Sequence, residues 1–175
     1  MRILCIFGRR RSVKLDFEPL LSGEKKEISF DYELADLGED AGAELDGAAH
    51  IVGKAVDMAG YISLEMVADF PYKTACARCA KELSRNLHVE YKCGVTDTEV
   101  AEDNLDYEQL EGGKLDMDEL AKRCFILELP MTDLCSENCL GLCSECGKDL
   151  NEGPCGCKKA ADPRLQKLID ALSEK

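Results

Sequence analysis

Alternation of apolar and polar residues dominates the first two thirds of the chain. Ile28, Phe30, Tyr32 and Leu34 alternate with Ser29, Asp31 and Glu33, the period-two pattern of a half-buried strand. An acidic, Gly-rich stretch from Gly38 to Gly47 follows and reads as a surface loop. His50 to Asp57 and Tyr61 to Phe70 flank Met58-Ala59-Gly60 and predict a hairpin, its second strand turning Ile62, Leu64, Met66, Ala68 and Phe70 to a core. Leu87, Val89, Tyr91, Cys93 and Val95 predict a further strand. Short strands separated by turns point to an antiparallel sheet or a small β-barrel.

The pattern weakens from Thr96 to Lys114, an acidic stretch that reads as a long loop with a short strand near Tyr107. Asp116 followed by Glu119 resembles a capping box and predicts a helix toward Leu129, stopped by Pro130. Near the end, Asp162-Pro163 is an N-cap with proline at the first helical position, and Leu165, Leu168, Ile169 and Leu172 mark an amphipathic helix. The predicted fold class is α+β: the antiparallel sheet or small barrel, one or two helices, and a C-terminal zinc-knuckle module. By domain, residues 1–12 form a leader, 13–130 a β-rich domain with a helix near 116–129, 131–160 a Cys-rich zinc module and 161–175 a C-terminal helix.

The leader is unlike the rest. Ile3 to Phe7 is too short for a signal-peptide core, and Arg9, Arg10 and Arg11 follow it instead of preceding it. Two readings stand: a start-site artefact, since consecutive arginine codons can spell a ribosome-binding site and Val13 can start from a GTG codon, or a basic arm able to touch RNA. No run of 18 apolar residues crosses a membrane. The expected location is the reducing cytoplasm, where clustered thiols bind metal or do redox work more often than they form disulfides.

Composition narrows the function. With 175 residues the chain buries roughly 70% of its unfolded surface, so no disulfides are needed to replace a core. Lys+Arg 22 against Asp+Glu 35 leaves a formal charge of −13, which excludes a whole-surface grip on nucleic acid. Any RNA contact is local or passes through a basic partner. No phosphate loop, nucleophile elbow or paired-carboxylate motif is present. His50 and His88 sit in strands without a Ser, Cys or Asp at a suggestive spacing and read as solvated residues.

The cysteines carry the chemistry. Eleven are present, and eight fall in pairs: Cys76-x2-Cys79, Cys135-x3-Cys139, Cys143-x2-Cys146 and Cys155-x-Cys157. Such pairs suit tetrahedral zinc, because a tight turn brings two sulfurs to about 2.3 Å from one ion. Cys143-Ser-Glu-Cys146-Gly147 reads as a knuckle in which Gly147 takes a positive φ and turns backbone N–H groups toward sulfur. Eight cysteines make two four-cysteine zinc sites. One partition joins Cys143, Cys146, Cys155 and Cys157, with Cys76, Cys79, Cys135 and Cys139 around the second ion. Another joins Cys135, Cys139, Cys143 and Cys146, leaving Cys155 and Cys157 to Cys76 and Cys79, and a single-site protein or some other partition stays open. Cys139-x3-Cys143-x2-Cys146 copies an iron–sulfur spacing of radical-SAM enzymes, but only 29 residues follow Cys146, too few for their barrel. Of the remainder, Cys93 and Cys124 read as small buried hydrophobes, and Cys5 belongs to the leader.

The block from Cys135-Ser-Glu-Asn-Cys139 through Cys143-Ser-Glu-Cys146-Gly147-Lys-Asp149-Leu150-Asn151 to Cys155-Gly-Cys157 and Asp162-Pro163-Arg164-Leu165, with Cys76-Ala-Arg-Cys79 and Leu129-Pro130 before it, resembles the YceD family of large ribosomal RNA subunit accumulation proteins in its Gram-positive form. The resemblance runs from about Val13 to the C-terminus and is most specific between Cys135 and Cys157. It implies a non-enzymatic bacterial protein needed for normal large-subunit ribosomal RNA levels. The expected partners are a ribosomal RNA precursor or large-subunit ribosomal proteins, with no membrane and no small-molecule substrate. Arg78, Lys158, Lys159, Arg164 and Lys167 are the candidate RNA contacts, and the acidic loop from Thr96 to Glu111 is a candidate face for a basic partner. The competing expectation is a thiol redox or metal-handling protein using the Cys pairs.

Overall fold

The computed structural model describes residues 12–38, 41–58, 61–98 and 107–157. They form two compact units. Residues 1–11, with Cys5, lie outside the described residues, as do Lys158 and Lys159 and the predicted C-terminal helix with Arg164 and Lys167.

The first unit holds the described residues up to Thr74 together with Glu82–Met131. Its strands are β1 (Lys14–Asp16), β2 (Glu27–Leu34), β3 (Glu44–Leu45), β4 (Ala49–Asp57), β5 (Ile62–Ala75), β6 (Glu82–Thr96), β7 (Tyr107–Gln109) and β8 (Lys114–Asp116). A six-stranded sheet runs β2-β4-β5-β6-β7 with β3 paired to β5, and β1 pairs with β8 in a second sheet. The expected hairpin is β4 and β5, antiparallel with Ile51 opposite Ala68 and Ala55 opposite Leu64. Its inward positions Ile62, Leu64, Met66, Ala68 and Phe70 are all buried, as the alternation requires.

The helices are α1 (Glu18–Leu21) and α2 (Met117–Glu128). Asp116 caps α2, its Oδ1 accepting from the N–H groups of Asp118 and Glu119 at 3.2 Å each, which satisfies two donors the helix cannot. The buried face of α2 carries Met117, Leu120, Ala121, Cys124 and Phe125. Phe125 closes the core against Phe70 and Tyr72, ring centroids 5.1 and 5.9 Å away. Tyr32 donates its hydroxyl to the Met117 carbonyl at 3.0 Å, tying β2 to the start of α2.

Several local features differ from expectation. β6 and β7 pair in parallel, Gly94 opposite Tyr107. Ten residues separate the two strands in sequence, more than a tight hairpin turn needs, and residues 99–106 of the expected acidic loop lie outside the described residues. The stretch from Gly38 to Gly47 is not wholly a surface loop, since Ala41 is buried and β3 lies within it. In the acidic segment Glu108 is committed internally: Arg123 Nη2 meets its Oε2 at 2.6 Å, and the Tyr91 hydroxyl donates to Oε1 at 2.8 Å.

The second unit holds Ala75–Lys81 and the described residues from Thr132 onward. It contributes no member of the apolar core, which is drawn entirely from the first unit. The buried side chains described in it are those of Cys76, Cys79 and Cys139, while Leu140 and Leu142 are exposed. A 3-10 helix spans Leu150–Glu152. Among the described residues, no helix is long and apolar enough to cross a membrane.

Candidate metal centre

Two short turns of the same design open the cysteine sites. In the first, the Cys76 N–H donates to the Lys81 carbonyl at 2.8 Å and the Ala80 N–H to the Cys76 carbonyl at 2.8 Å. In the second, the Cys143 N–H donates to the Lys148 carbonyl at 2.8 Å and the Gly147 N–H to the Cys143 carbonyl at 2.9 Å. Each pattern folds a Cys-x2-Cys segment so that both sulfurs face one point. Ala77 donates its N–H to the Asp133 carbonyl at 2.8 Å, which carries the later chain alongside the first turn.

The thiols gather as Cys76, Cys79, Cys135 and Cys139 in one group and Cys143, Cys146, Cys155 and Cys157 in the other, with the sulfurs of each group within 4.8 Å of one another. A tetrahedron with arms of about 2.3 Å has edges of about 3.8 Å. The Cys76–Cys139 and Cys79–Cys135 sulfur separations are 3.8 and 3.7 Å, and Cys143–Cys155 is 3.3 Å. Disulfide sulfurs would lie at about 2.05 Å, and every described cysteine is a free thiol. Each group can hold one metal ion. Cys139 stands in a different group from Cys143 and Cys146, so their iron–sulfur-like spacing does not form a cluster site. Three thiols of the first group are buried, Cys76, Cys139 and Cys79 at 2%, 3% and 7% exposure, and Cys135 is half-buried. The second is open, Cys146 and Cys157 being exposed and Cys143 and Cys155 half-buried.

Backbone amides aim at the sulfurs. The N–H of Cys135, with those of Cys79 and Arg78, brings the Cys76 thiol down to about 6, and the N–H groups of Cys146 and Glu145, with the Cys155 thiol, bring Cys143 down to about 6. Groups that stabilise a thiolate also suit a sulfur that ligates a cation. Cys139 is lowered chiefly by the Asn151 side chain. Asn151 Nδ2 lies 3.4 Å from Cys139 Sγ, and its Oδ1 accepts the Leu140 N–H at 2.8 Å. Nothing in the spacing of Asn151 along the chain shows which sulfur its amide meets.

Arg78, expected at an RNA surface, is engaged within the unit. Its Nη1 donates to the carbonyls of Glu137 and Cys139 at 3.2 and 3.0 Å. Its own carbonyl accepts the Leu142 N–H at 3.0 Å, and the Gly141 carbonyl accepts the Leu150 N–H at 2.9 Å. The strip from Leu140 to Leu142 thus bridges the two cysteine groups.

The remaining titratable residues are explained by the sheet. Cys93 and Cys124 are buried, and burial pushes their thiols up to about 12 and about 11, so neither is a poised nucleophile. His50 and His88 are exposed, but each has a cross-strand aspartate that spacing did not reveal: Asp31 at 3.0 Å from His50 Nε2 and Asp69 at 2.8 Å from His88 Nδ1. Cys76 and Cys79 lie in a turn followed by strand β6, not at a helix start, so the helix dipole of a thioredoxin-type site is absent there.

Residues 64–170, more than half of the chain and including all eight clustered cysteines, match the family described as large ribosomal RNA subunit accumulation protein YceD. Uncharacterized proteins of Mycobacterium bovis and Mycobacterium tuberculosis are each 27% identical over 146 residues, spanning 80% of this chain and 67% of the relative. An uncharacterized protein of Mycobacterium leprae is 26% identical over 147 residues, spanning 81% of this chain and 64% of its own length. No solved structure matches the chain. The chain belongs to the YceD family of large ribosomal RNA subunit accumulation proteins.

Proposed function

We propose that this protein is a cytoplasmic, non-enzymatic factor for accumulation of 23S ribosomal RNA and biogenesis of the large ribosomal subunit, its second unit held in shape by two zinc ions. The family match over residues 64–170 carries the ribosomal part of the reading. The zinc part rests on two four-thiol groups within 4.8 Å, in a unit that adds nothing to the apolar core. An all-thiolate tetrahedral donor set selects zinc or iron over hard cations that take oxygen ligands. A segment without a core gains its folding free energy from the metal, and zinc with no redox chemistry supplies structure alone.

The partner is a ribosomal RNA precursor or a large-subunit ribosomal protein. The overall charge of −13 favours a basic protein partner, with RNA contact confined to local cations. Lys158, Lys159, Arg164 and Lys167 remain the candidates for such contact, and Arg78 is the candidate within the second unit. Crosslinking in growing cells, with both RNA and protein recovered, tests the reading. Large-subunit ribosomal RNA or ribosomal proteins are the expected products, and recovery of neither overturns it.

A further inference from the structure

We propose that the two four-thiol sites release metal in a fixed order and are energetically coupled through Asn151, a positioning residue for the buried site. This rests on the metal reading above and adds the order and the coupling. The inner site (Cys76, Cys79, Cys135, Cys139) has three buried thiols, whereas the outer site (Cys143, Cys146, Cys155, Cys157) has none. A chelator reaches the outer sulfurs first.

Asn151 belongs to the outer site by chain position, in the segment that Cys146 and Cys155 close, but its side chain serves the inner one. The Leu140 N–H, 2.8 Å away, can be met only by the amide oxygen. That fixes the amide nitrogen on the sulfur side, 3.4 Å from Cys139 Sγ. An N–H directed at a metal-bound thiolate offsets part of its charge and orients its lone pair. Asn151 is itself positioned by Asp149, whose Oδ1 accepts from the Asn151 N–H at 2.8 Å and from Nδ2 at 2.6 Å. These two bonds are exposed to water, and such bonds hold a loop only weakly. The outer metal, closing the loop from both sides, keeps Asn151 on Cys139. Emptying the outer site frees that loop and weakens the inner site, and by linkage a filled inner site strengthens the outer one.

The test uses the full chain loaded with Co²⁺, with chelator competition followed through thiolate-to-cobalt absorption. Cys157→Ser disables the outer site, and Asn151→Ala removes the connection. Loss of an outer-shell partner costs about 10- to 100-fold in metal affinity, so each change is expected to lower inner-site affinity by at least about tenfold. With Asn151→Ala already present, Cys157→Ser should cost the inner site less than about twofold, because the pathway is already cut. Asn151→Asp keeps the shape but turns an oxygen toward sulfur, and is expected to weaken the inner site further and shift its absorption bands. In the unaltered protein, alkylation during metal removal should label Cys146 and Cys157 before Cys76 and Cys79, a readout independent of any variant. Inner thiols labelled first overturn the order, and unchanged inner affinity in Cys157→Ser or equal losses in both backgrounds overturn the coupling. Two ions bound independently overturn the coupling alone, and fewer than two ions in the unaltered chain overturn the metal reading beneath it.

Discussion

Ala80 stands to Cys76 as Gly147 stands to Cys143. Each follows the second cysteine of its turn, donates its N–H to the first cysteine's carbonyl and has a left-handed backbone, φ being 57° at Ala80 and 71° at Gly147. The first turn therefore carries a side chain at a position the second leaves to glycine. A left-handed L-residue costs roughly 1–2 kcal/mol. Ala80→Gly is expected to stabilise the second unit by up to about 1 kcal/mol, after the entropy that glycine loses on folding. Gly147→Ala is expected to destabilise it by about 1 kcal/mol, since a Cβ there meets nothing within 4 Å and only the backbone objects. Thermal melts of the metal-loaded protein check both signs, and a rise in Tm for Gly147→Ala contradicts the account.

Gly141→Ala should cost more than Gly147→Ala. Its φ is 76° and a Cβ would sit 2.9 Å from the Arg78 carbonyl oxygen, the group that accepts the Leu142 N–H. Strain and steric conflict together are expected to cost about 2–3 kcal/mol. The same melts measure it, and equal costs at Gly141 and Gly147 would deny the close passage over Arg78.

Removing the metal should separate the two units in stability. The first unit owns the whole described apolar core and is expected to keep its sheet. Amides of the second unit should lose protection, as binding free energy is folding free energy in such a segment. Hydrogen exchange with and without chelator decides: protection retained around Cys139 to Asn151 after chelation would count against it.

High pH should destabilise the first unit through Cys93 and Cys124. Their folded-state values, about 12 and about 11, lie above the ordinary 9.0 because burial disfavours the thiolate. The unfolded chain gives up these protons more readily. Stability is therefore whole below pH 9 and falls as pH rises from there toward 12. Denaturation midpoints at pH 8 and pH 10 should differ less in a Cys93→Ala/Cys124→Ala variant than in the unaltered chain; an unchanged difference contradicts the assignment.

The sequence made the larger strands legible because one face of each is buried: Ile62 to Phe70 alternate in the chain and in the fold alike. The N-cap at Asp116 was equally readable, being local chemistry within three residues. What escaped was short or non-local. β1, α1 and β8 span only three or four residues each, too few for a period to emerge. The pairing of His88 with Asp69 and of Arg123 with Glu108 joins positions 19 and 15 residues apart, fixed by register and packing rather than spacing. The cysteine pairs were visible, and one weighed partition coincides with the observed grouping. Spacing alone left the partition open, because short Cys pairs specify half-sites, and the bonds of Ala77 to Asp133 and of Leu142 to Arg78 join segments that spacing does not relate.

Native mass spectrometry of the full chain, with metal analysis on the same sample, tests the central claim most directly. Two zinc ions per chain are predicted, with all eight clustered thiols becoming alkylatable only after chelation. A chain free of metal, or one whose cysteines are joined as disulfides, would contradict the account.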